Sequence, residues 1–587
     1  MSSREGIRGL SRRWSLREGA GSVRQASLPA RVLACRGLSD ESAARAFLEP
    51  SLSQLHAPDL LPNIDSAADR LLAAADAREP IVIYGDYDVD GVAATAILYH
   101  TLRALAPDSD VRTYVPHRLD EGYGLNEAAI GSLAADGARV IVTVDCGVTA
   151  IEPAAAARRA GVDLIITDHH NPPEGPLPEA LAIVHPRLPG STYPFGELSG
   201  AGVAFKLAWR LASRRAGGTR VPADVRTLLV ELLAFASLGT IADAVPLLGE
   251  NRVIARHGLS RLKHSPLAGI RPLVVASGLD GDTIDSDHVG FTLGPRLNAC
   301  GRLGHAREAV ELFTTARGER AAEIAASLTA LNTERRAVER RIAEQAAELA
   351  VERGMTGPDC RAIVLAHSEW HVGVIGIACS RLVERFGRPT ILMQESEGVC
   401  KGSGRSVPGF SLHAALQRCA GSLESFGGHD MAAGLRVRSD RLAAFTEGFT
   451  RIANESLSED DTVLSLSYDT EAALHELTPD AIRQLDRLAP FGVGNPRPRL
   501  RLRRLTLAEP PRPMGAERNH VALMVADGHQ RLRLVGWDWA ERAAAISPGA
   551  RLEAIVSVKI ETWRGRTRVE GQIEDLMVDR PAPSAVF

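Results

Sequence analysis

The chain has 587 residues, enough for about three or four domains, with 45% hydrophobic, 24% charged and only 4% aromatic residues. Its 68 Lys and Arg against 72 Asp and Glu leave a net charge of −4, which excludes a protein that coats nucleic acid by bulk positive charge but not one with a local basic groove. Seven cysteines with no CxxC pair argue against a disulfide framework or a zinc ribbon and fit a reducing cytosol.

The N-terminus carries Arg4, Glu5 and Arg8 and no apolar run, so no signal peptide is expected. Gly, Asp or Arg interrupts the longest apolar stretches before the ~20 residues of a membrane helix. About the first 50 residues read as an Arg/Ser-rich, partly ordered lead-in that turns helical around 43–48. From Pro80 a design repeats: a short β-branched run, an acidic or Gly-rich turn, then an Ala-rich helix. The runs Ile81-Val82-Ile83, Val140-Ile141-Val142-Thr143-Val144 and Leu164-Ile165-Ile166-Thr167 are continuous apolar strands, which predicts an α/β fold with a parallel sheet covered on both faces. Asp86, Asp145 and Asp168 follow those strands, at the end where such sheets bind ligands.

Residues 307–353 keep Ile324, Leu328, Leu331, Val338, Ile342, Ala346 and Leu349 at three-to-four spacing, either a packed surface helix or a spacer joining two lobes. A second α/β unit, rich in glycine, follows from Ala362 to about 455. From about 465 short alternating runs such as Leu500-Arg501-Leu502-Arg503 predict a small β domain.

The sharpest motif is Gly85-Asp86-Tyr87-Asp88-Val89-Asp90-Gly91, three carboxylates at every second position, offering hard oxygen ligands to a divalent cation. An EF-hand calcium loop is disfavoured, because its twelfth position is Ile97 and a strand precedes it. A plain acidic turn is also disfavoured, because close carboxylates repel unless something neutralises them. Asp145 and Asp168-His169-His170 end strands and Asp243 follows an apolar segment, which would place them with the acidic loop at the same end of one sheet. Each alone reads equally well as a cap. Together, carboxylates with neutral imidazole suit Mn²⁺, with Mg²⁺ as a substitute. Two ions ~3.5–4 Å apart need about six ligands and a bridging carboxylate, and such a pair generates a hydroxide for phosphoryl displacement. Adjacent His169 and His170 diverge on an extended backbone, leaving one to face metal and the other to meet phosphate or donate a proton.

Asp168-His169-His170, with the acidic loop upstream and Gly239-Thr240-Ile241-Ala242-Asp243-Ala244-Val245-Pro246-Leu247 downstream, resembles the DHH phosphoesterase superfamily. Within it the match is to the RecJ-like single-strand exonucleases. Further motifs of that kind are Pro116-His117-Arg118 with Glu121-Gly122-Tyr123-Gly124, and 296–302 (RLNACGR). In the second lobe they are 371–376 (HVGVIG), Gly402-Ser403-Gly404-Arg405-Ser406 and Gly427-Gly428-His429. Leu488-Ala489-Pro490-Phe491-Gly492 with Gly494-Asn495-Pro496 resembles the hinge before the family's OB-fold. Tyr84 departs from the superfamily, where His often stands four residues before the second Asp of the loop.

The resemblance implies an N-terminal segment at 1–60, a DHH catalytic domain at 61–305, a connecting helix at 306–353, a second α/β (DHHA1) domain at 354–460 and an all-β OB-fold at 461–587. It implies a 5′→3′ exonuclease on single-stranded DNA that releases mononucleotides, in DNA repair and recombination. Asp86, Asp88, Asp90, Asp145, His169 and Asp243 would bind two Mn²⁺ or Mg²⁺, with Asp145 bridging and catalysis shared with His170 and His429. Arg118, Arg296, Asn298, Arg302, Ser403, Arg405, Gly427, Gly428 and His429 would hold phosphate, although Arg296, Asn298 and Arg302 suit bracing of the carboxylates equally well. Arg499, Arg501 and Arg503 share a strand face, read either as a nucleic-acid track or as a plain charged face; Trp537, Trp539 and Trp563 would stack bases or fill a core. The family implies a helicase and a single-strand-binding protein as partners, a cytoplasmic location, no membrane and a monomer. The alternatives are a phosphodiesterase for short oligoribonucleotides or cyclic dinucleotides, disfavoured by the extra β domain, and a non-catalytic single-strand-binding relative, disfavoured because every acidic ligand is present.

Overall fold

A computed structural model describes residues 7–17, 26–117, 121–122, 124–218, 220–563 and 566–579. The chain divides into two units, one formed by Pro50–Ala337 with Pro490–Pro496, the other by Met1–Glu49, Val338–Ala489 and Arg497–Phe587.

In the first unit the β-branched runs form a parallel sheet. Its strands are ordered Val111–Tyr114, Ile81–Gly85, Val140–Val144, Asp163–Thr167 and Ala182–Val184. Ile81, Ile83, Val140, Val142 and Val144 pack on one face against helices Val89–Leu105, Gly200–Arg215 and Ala223–Ala242. Val82, Tyr84, Ile141, Leu164 and Ile166 pack on the other, with Ala129, Ile130, Ala154 and Ala157 from two further helices. This two-sided burial is why the strands are continuously apolar. The second strand in sequence lies at the sheet edge, so the winding reverses between Ile81–Gly85 and Val140–Val144. A reversal of this kind opens a crevice beyond the strand ends, and Asp86 and Asp145 are the next residues of those two strands.

The 20-residue helix Ala223–Ala242 departs from the expectation that no stretch has the length and apolarity of a membrane span, since it has both. Its Leu232, Leu233, Phe235 and Leu238 are at most 1% exposed inside the core, so this apolarity serves the fold. Where one long helical stretch was expected, a short helix, Arg307–Thr314, precedes a single 35-residue helix, Gly318–Glu352, in which the chain passes from the first unit to the second.

The second unit holds a mixed sheet ordered Ser425–Gly428, Ala432–Arg438, Val399–Arg405, Thr390–Ser396 and Ile363–His367, parallel only in the last pair. Helix Val372–Phe386 follows its first strand. Beyond it, strands Arg499–Leu507, His520–Ala526, Arg531–Gly536, Arg551–Trp563 and Arg566–Val578 close a barrel. The first pairs with both the second and the fourth, the second with the third, the fourth with the fifth, and the third with the fifth in parallel. This is the OB-fold order.

Part of the lead-in is built into the second unit. Ile7–Arg8 and Arg13–Leu16 form a hairpin whose second strand pairs in parallel with Ser465–Tyr468. The fully buried Asp575 accepts hydrogen bonds from Ser11 N (3.1 Å), Arg12 N (2.9 Å) and Trp14 Nε1 (2.8 Å). Hydrogen bonds to a buried charge are the strong kind, and removing their acceptor strands the donors. Asp575→Ala is therefore expected to cost on the order of 3–5 kcal/mol and to open residues 7–17 to protease, measured by thermal denaturation and limited trypsin digestion. An unchanged Tm and digestion pattern would show that the hairpin does not depend on this carboxylate.

Candidate active site

Four chain segments deliver acidic and imidazole groups to the crevice at the sheet's reversal point. The loop after Ile81–Gly85 supplies three. Asp86 is 2% exposed. Asp88 caps the helix it precedes, accepting from Asp90 N (2.9 Å) and Gly91 N (3.1 Å). Asp90 caps a different helix, accepting from Gly200 N (2.6 Å) and Ala201 N (2.9 Å). Two of these carboxylates thus cap helices and still belong to the clustered donors of the cleft. Asp145 follows the central strand with φ +64°, a left-handed conformation that Asp tolerates better than most residues. Glycines make room around this group. A Cβ on Gly200 would lie 2.5 Å from Asp145 Oδ1, and one on Gly239 would lie 2.2 Å from Asp90 Oδ1.

The six expected ligands fall into two triads, Asp86–Asp88–Asp145 and Asp90–His169–Asp243, each with donor atoms within 4.8 Å of one another. His169 Nε2 stands 3.2 Å from Asp145 Oδ1, 3.5 Å from Asp243 Oδ2 and 3.8 Å from Asp90 Oδ2, joining the two. Asp145 Oδ1 and His169 Nε2 are buried and, among the described residues, make no hydrogen bond.

Electrostatics mark this cleft as short of positive charge. Burial, then the charge of Asp88, raises Asp90 to about 7 against opposing backbone N–H groups. Burial, then Asp90 and Asp88, raises Asp243 to about 8. Asp145 is raised well above its usual range by burial and by Asp90, Asp88, Asp86 and Asp243. Burial, then the neighbouring His170 charge, lowers His169 to about 3, keeping it a neutral donor. Hard oxygens with one neutral imidazole, buried and mutually repelling, fit a pair of Mn²⁺ or Mg²⁺ ions.

Asp168, which the sequence placed at the strand end without a role, organises the histidines. Its Oδ1 accepts from His169 N (2.7 Å), His170 N (3.1 Å) and His170 Nδ1 (2.7 Å), and its Oδ2 from Val148 N (2.9 Å). These bonds fold the backbone after Thr167, so the two rings stay 4.6 Å apart instead of diverging as on an extended strand. Burial alone would lower His170; the bond and charge of Asp168, with Asp243 and Asp86, outweigh it and raise it to about 9. The available signal was the first letter of the Asp-His-His triplet itself.

Tyr84 supplies no ligand. It packs in the core on the opposite face of the sheet and its hydroxyl donates to Gly124 O (3.0 Å). Asn298 Oδ1 accepts from Val89 N (3.1 Å), bracing the acidic loop, and Arg296 donates to Thr292 O (2.7 Å). Arg302 is half-buried in the same helix, Gly294–Leu303. Arg118 lies outside the described residues.

In the second unit Arg405 Nη1 donates to Ser403 Oγ (3.1 Å), and a Cβ on Gly376 would lie 3.0 Å from that hydroxyl and 3.1 Å from Arg405 Nη2. The hydroxyl and guanidinium therefore sit against the first turns of helix Val372–Phe386, whose cap His371 accepts from Gly373 N. Gly427 and Gly428 end a strand, and His429 beyond them is exposed, its N–H donating to Ala432 O (2.8 Å).

The Arg499, Arg501, Arg503 track needs correction. The three do share a strand face, but Arg501 is 7% exposed and paired with Glu553 and Glu471, Arg503 pairs with the same two carboxylates, and Arg499 pairs with Glu574. Neighbouring strands supply the countercharge, so the face is neutralised. Trp539 is buried, Trp537 is 49% exposed and packs edge-on against His520, and the side chain of Trp563 lies outside the described residues.

Three family models match the chain in order: the DHH family N-terminal domain over 80–236, the DHHA1 domain over 359–455 and the RecJ OB domain over 468–575. The single-stranded-DNA-specific exonuclease RecJ of Bacillus subtilis is 39% identical over 94% of this chain and 68% of that protein. The chain belongs to the RecJ family. The RecJ of Dickeya dadantii is 38% identical over 80% of this chain and 83% of its own length. The crystal structure of Thermus thermophilus RecJ in complex with Mn²⁺ superposes with a TM-score of 0.79 at 30% identity, covering 94% of this chain and 76% of that one. The same RecJ is also known in complex with Mg²⁺.

The raised carboxylates give a pH prediction. A carboxyl whose folded pKa exceeds its unfolded value of 3.8 stabilises the fold below that value and loses the contribution as pH rises through the folded pKa, here about 7 for Asp90 and about 8 for Asp243. Bound cations replace those protons. The Tm difference between Mn²⁺-loaded and chelator-treated protein is therefore expected to widen between about pH 6 and about pH 8.5. Differential scanning fluorimetry across that range checks it, and a constant difference would contradict the protonation assigned to these groups.

Proposed function

We propose that this protein is a metal-dependent exonuclease specific for single-stranded DNA, which starts at a 5′ end and releases 5′-mononucleotides in DNA repair and recombination. The observation that carries this reading is the convergence of six donors from four segments on the reversal point of one sheet. Asp86, Asp88 and Asp145 would hold one divalent cation and Asp90, His169 and Asp243 the other, with Asp145 between them. When bound, such a pair activates water near neutral pH and takes up charge from the entering and leaving oxygens of a phosphodiester.

The chain's own groups do the rest. Asp168 fixes His170 so that the imidazolium, its side chain 39% exposed, offers an N–H to a phosphate oxygen. Asn298 keeps the acidic loop in place. Ser403, Arg405 and the start of helix Val372–Phe386 offer a hydroxyl, a guanidinium and backbone N–H groups to a terminal phosphate. Gly427, Gly428 and His429 would approach the scissile phosphate. The OB barrel favours a polymer over a dinucleotide as substrate. All seven cysteines are free thiols, six of them buried, which accords with a cytoplasmic setting.

The deciding experiment is a time course on 5′- and 3′-labelled single strands and duplexes, and on a dinucleotide, with Mn²⁺, Mg²⁺ or chelator. Loss of mononucleotides from the 5′ end of single strands alone is expected, and preference for the dinucleotide would overturn the reading. Asp145→Ala should lower turnover by on the order of a thousandfold or more while strand affinity stays nearly constant; substantial remaining turnover refutes its bridging place. Arg405→Ala should raise KM about tenfold for a 5′-phosphorylated strand and much less for a 5′-hydroxyl strand. Equal effects on both would remove Arg405 from the terminal-phosphate site.

A further inference from the structure

We infer that Pro490–Pro496, the short segment that leaves the second unit and packs within the first, is a positioning strap for Asp243. The inference rests on the assignment of Asp243 as a cation ligand.

Asp243 ends helix Ala223–Ala242, and the next residue, Ala244, has φ +60°. A left-handed alanine costs on the order of 1–2 kcal/mol, so this turn persists only if its surroundings enforce it. Two sets of contacts hold the loop 244–248. From within, Asn251, fully buried, donates its amide to Pro246 O (3.1 Å). From the strap, Val493 O accepts from Leu247 N (2.8 Å), and Pro490 O accepts from the guanidinium of Arg252 (3.5 Å), which is 2% exposed.

The strap is shaped for this. Gly492 and Asn495 exchange backbone hydrogen bonds of 2.9 and 3.1 Å, and the Asn495 side chain, 1% exposed, donates to Pro490 O (2.8 Å). Its two glycines allow close approach. A Cβ on Gly492 would lie 2.7 Å from Leu247 Cδ1, and one on Gly494, at φ +74°, would lie 3.2 Å from both Leu248 Cδ1 and Pro246 Cβ. Val493 instead turns its side chain outward, 50% exposed, and contributes only its carbonyl. The strap therefore acts by backbone shape. It is covalently continuous with Arg499–Leu507, the first strand of the OB barrel.

The test compares Gly494→Val, Asn495→Ala, Val493→Ala and Asp243→Ala in the full chain. The readouts are Mn²⁺ titration by EPR, hydrogen–deuterium exchange of the 244–252 peptide, and kcat and KM on a single strand. The strap variants Gly494→Val and Asn495→Ala should raise exchange in that peptide and weaken one of two Mn²⁺ sites by about tenfold. Their kcat should fall in parallel while KM stays within about twofold. Val493→Ala should match wild type. Asn495→Ala, which removes the side-chain hydrogen bond to Pro490 O and introduces no clash, carries the test if Gly494→Val fails to fold. Faster exchange at 244–252 with unchanged Mn²⁺ affinity and kcat would overturn the strap. Retention of both Mn²⁺ sites in Asp243→Ala would instead overturn the ligand assignment on which it rests.

Discussion

Five buried or half-buried carboxylates within a few ångströms repel one another, and among the described residues Asp90, Asp145 and Asp243 have no Lys or Arg ion pair. Protons are one remedy and divalent cations the other, so the cleft is held at the edge of protonation near neutral pH. That tension favours the charged state of His170, whereas burial and the His170 charge keep His169 neutral. A nuclease gains from the arrangement, because cations that quiet the carboxylates also attract a phosphodiester that the protein's net negative charge would repel.

The backbone contributes as much as the side chains. A 2-1-3-4-5 strand order opens the crevice, and the carboxylates then reuse its local chemistry, with Asp88 and Asp90 terminating two helices and Asp145 turning the chain in a left-handed conformation. Gly200 and Gly239 sit where any side chain would strike an oxygen of Asp145 or Asp90. The candidate metal centre is thus built from groups that also start the surrounding helices, which ties the presence of the site to the fold itself.

The parallel sheet and the six clustered donors were readable in advance because both are local signals: an apolar run followed by an acidic turn, repeated. What the sequence hid depends on partners far along the chain. Nothing near Trp14 points to Asp575, 561 residues away. Alternation correctly put Arg499, Arg501 and Arg503 on one face, yet their charge is cancelled by Glu471, Glu553 and Glu574 from neighbouring strands, which one strand's pattern cannot reveal. Asp168 was overlooked for another reason: its role is to aim two neighbours, and a residue that works through backbone N–H groups leaves no spacing pattern.

The hairpin at residues 7–17 carries a consequence for biosynthesis. It leaves the ribosome long before its partner strand Ser465–Tyr468 and its acceptor Asp575. At 5–20 residues per second, Trp14 waits on the order of a minute, while the sheet-bearing unit between them has everything it needs to fold. A product terminated between Pro496 and Asp575 would therefore contain the whole of the candidate metal cleft together with an indole that never finds its burial site, a ready handle for chaperones and proteases that clear incomplete chains.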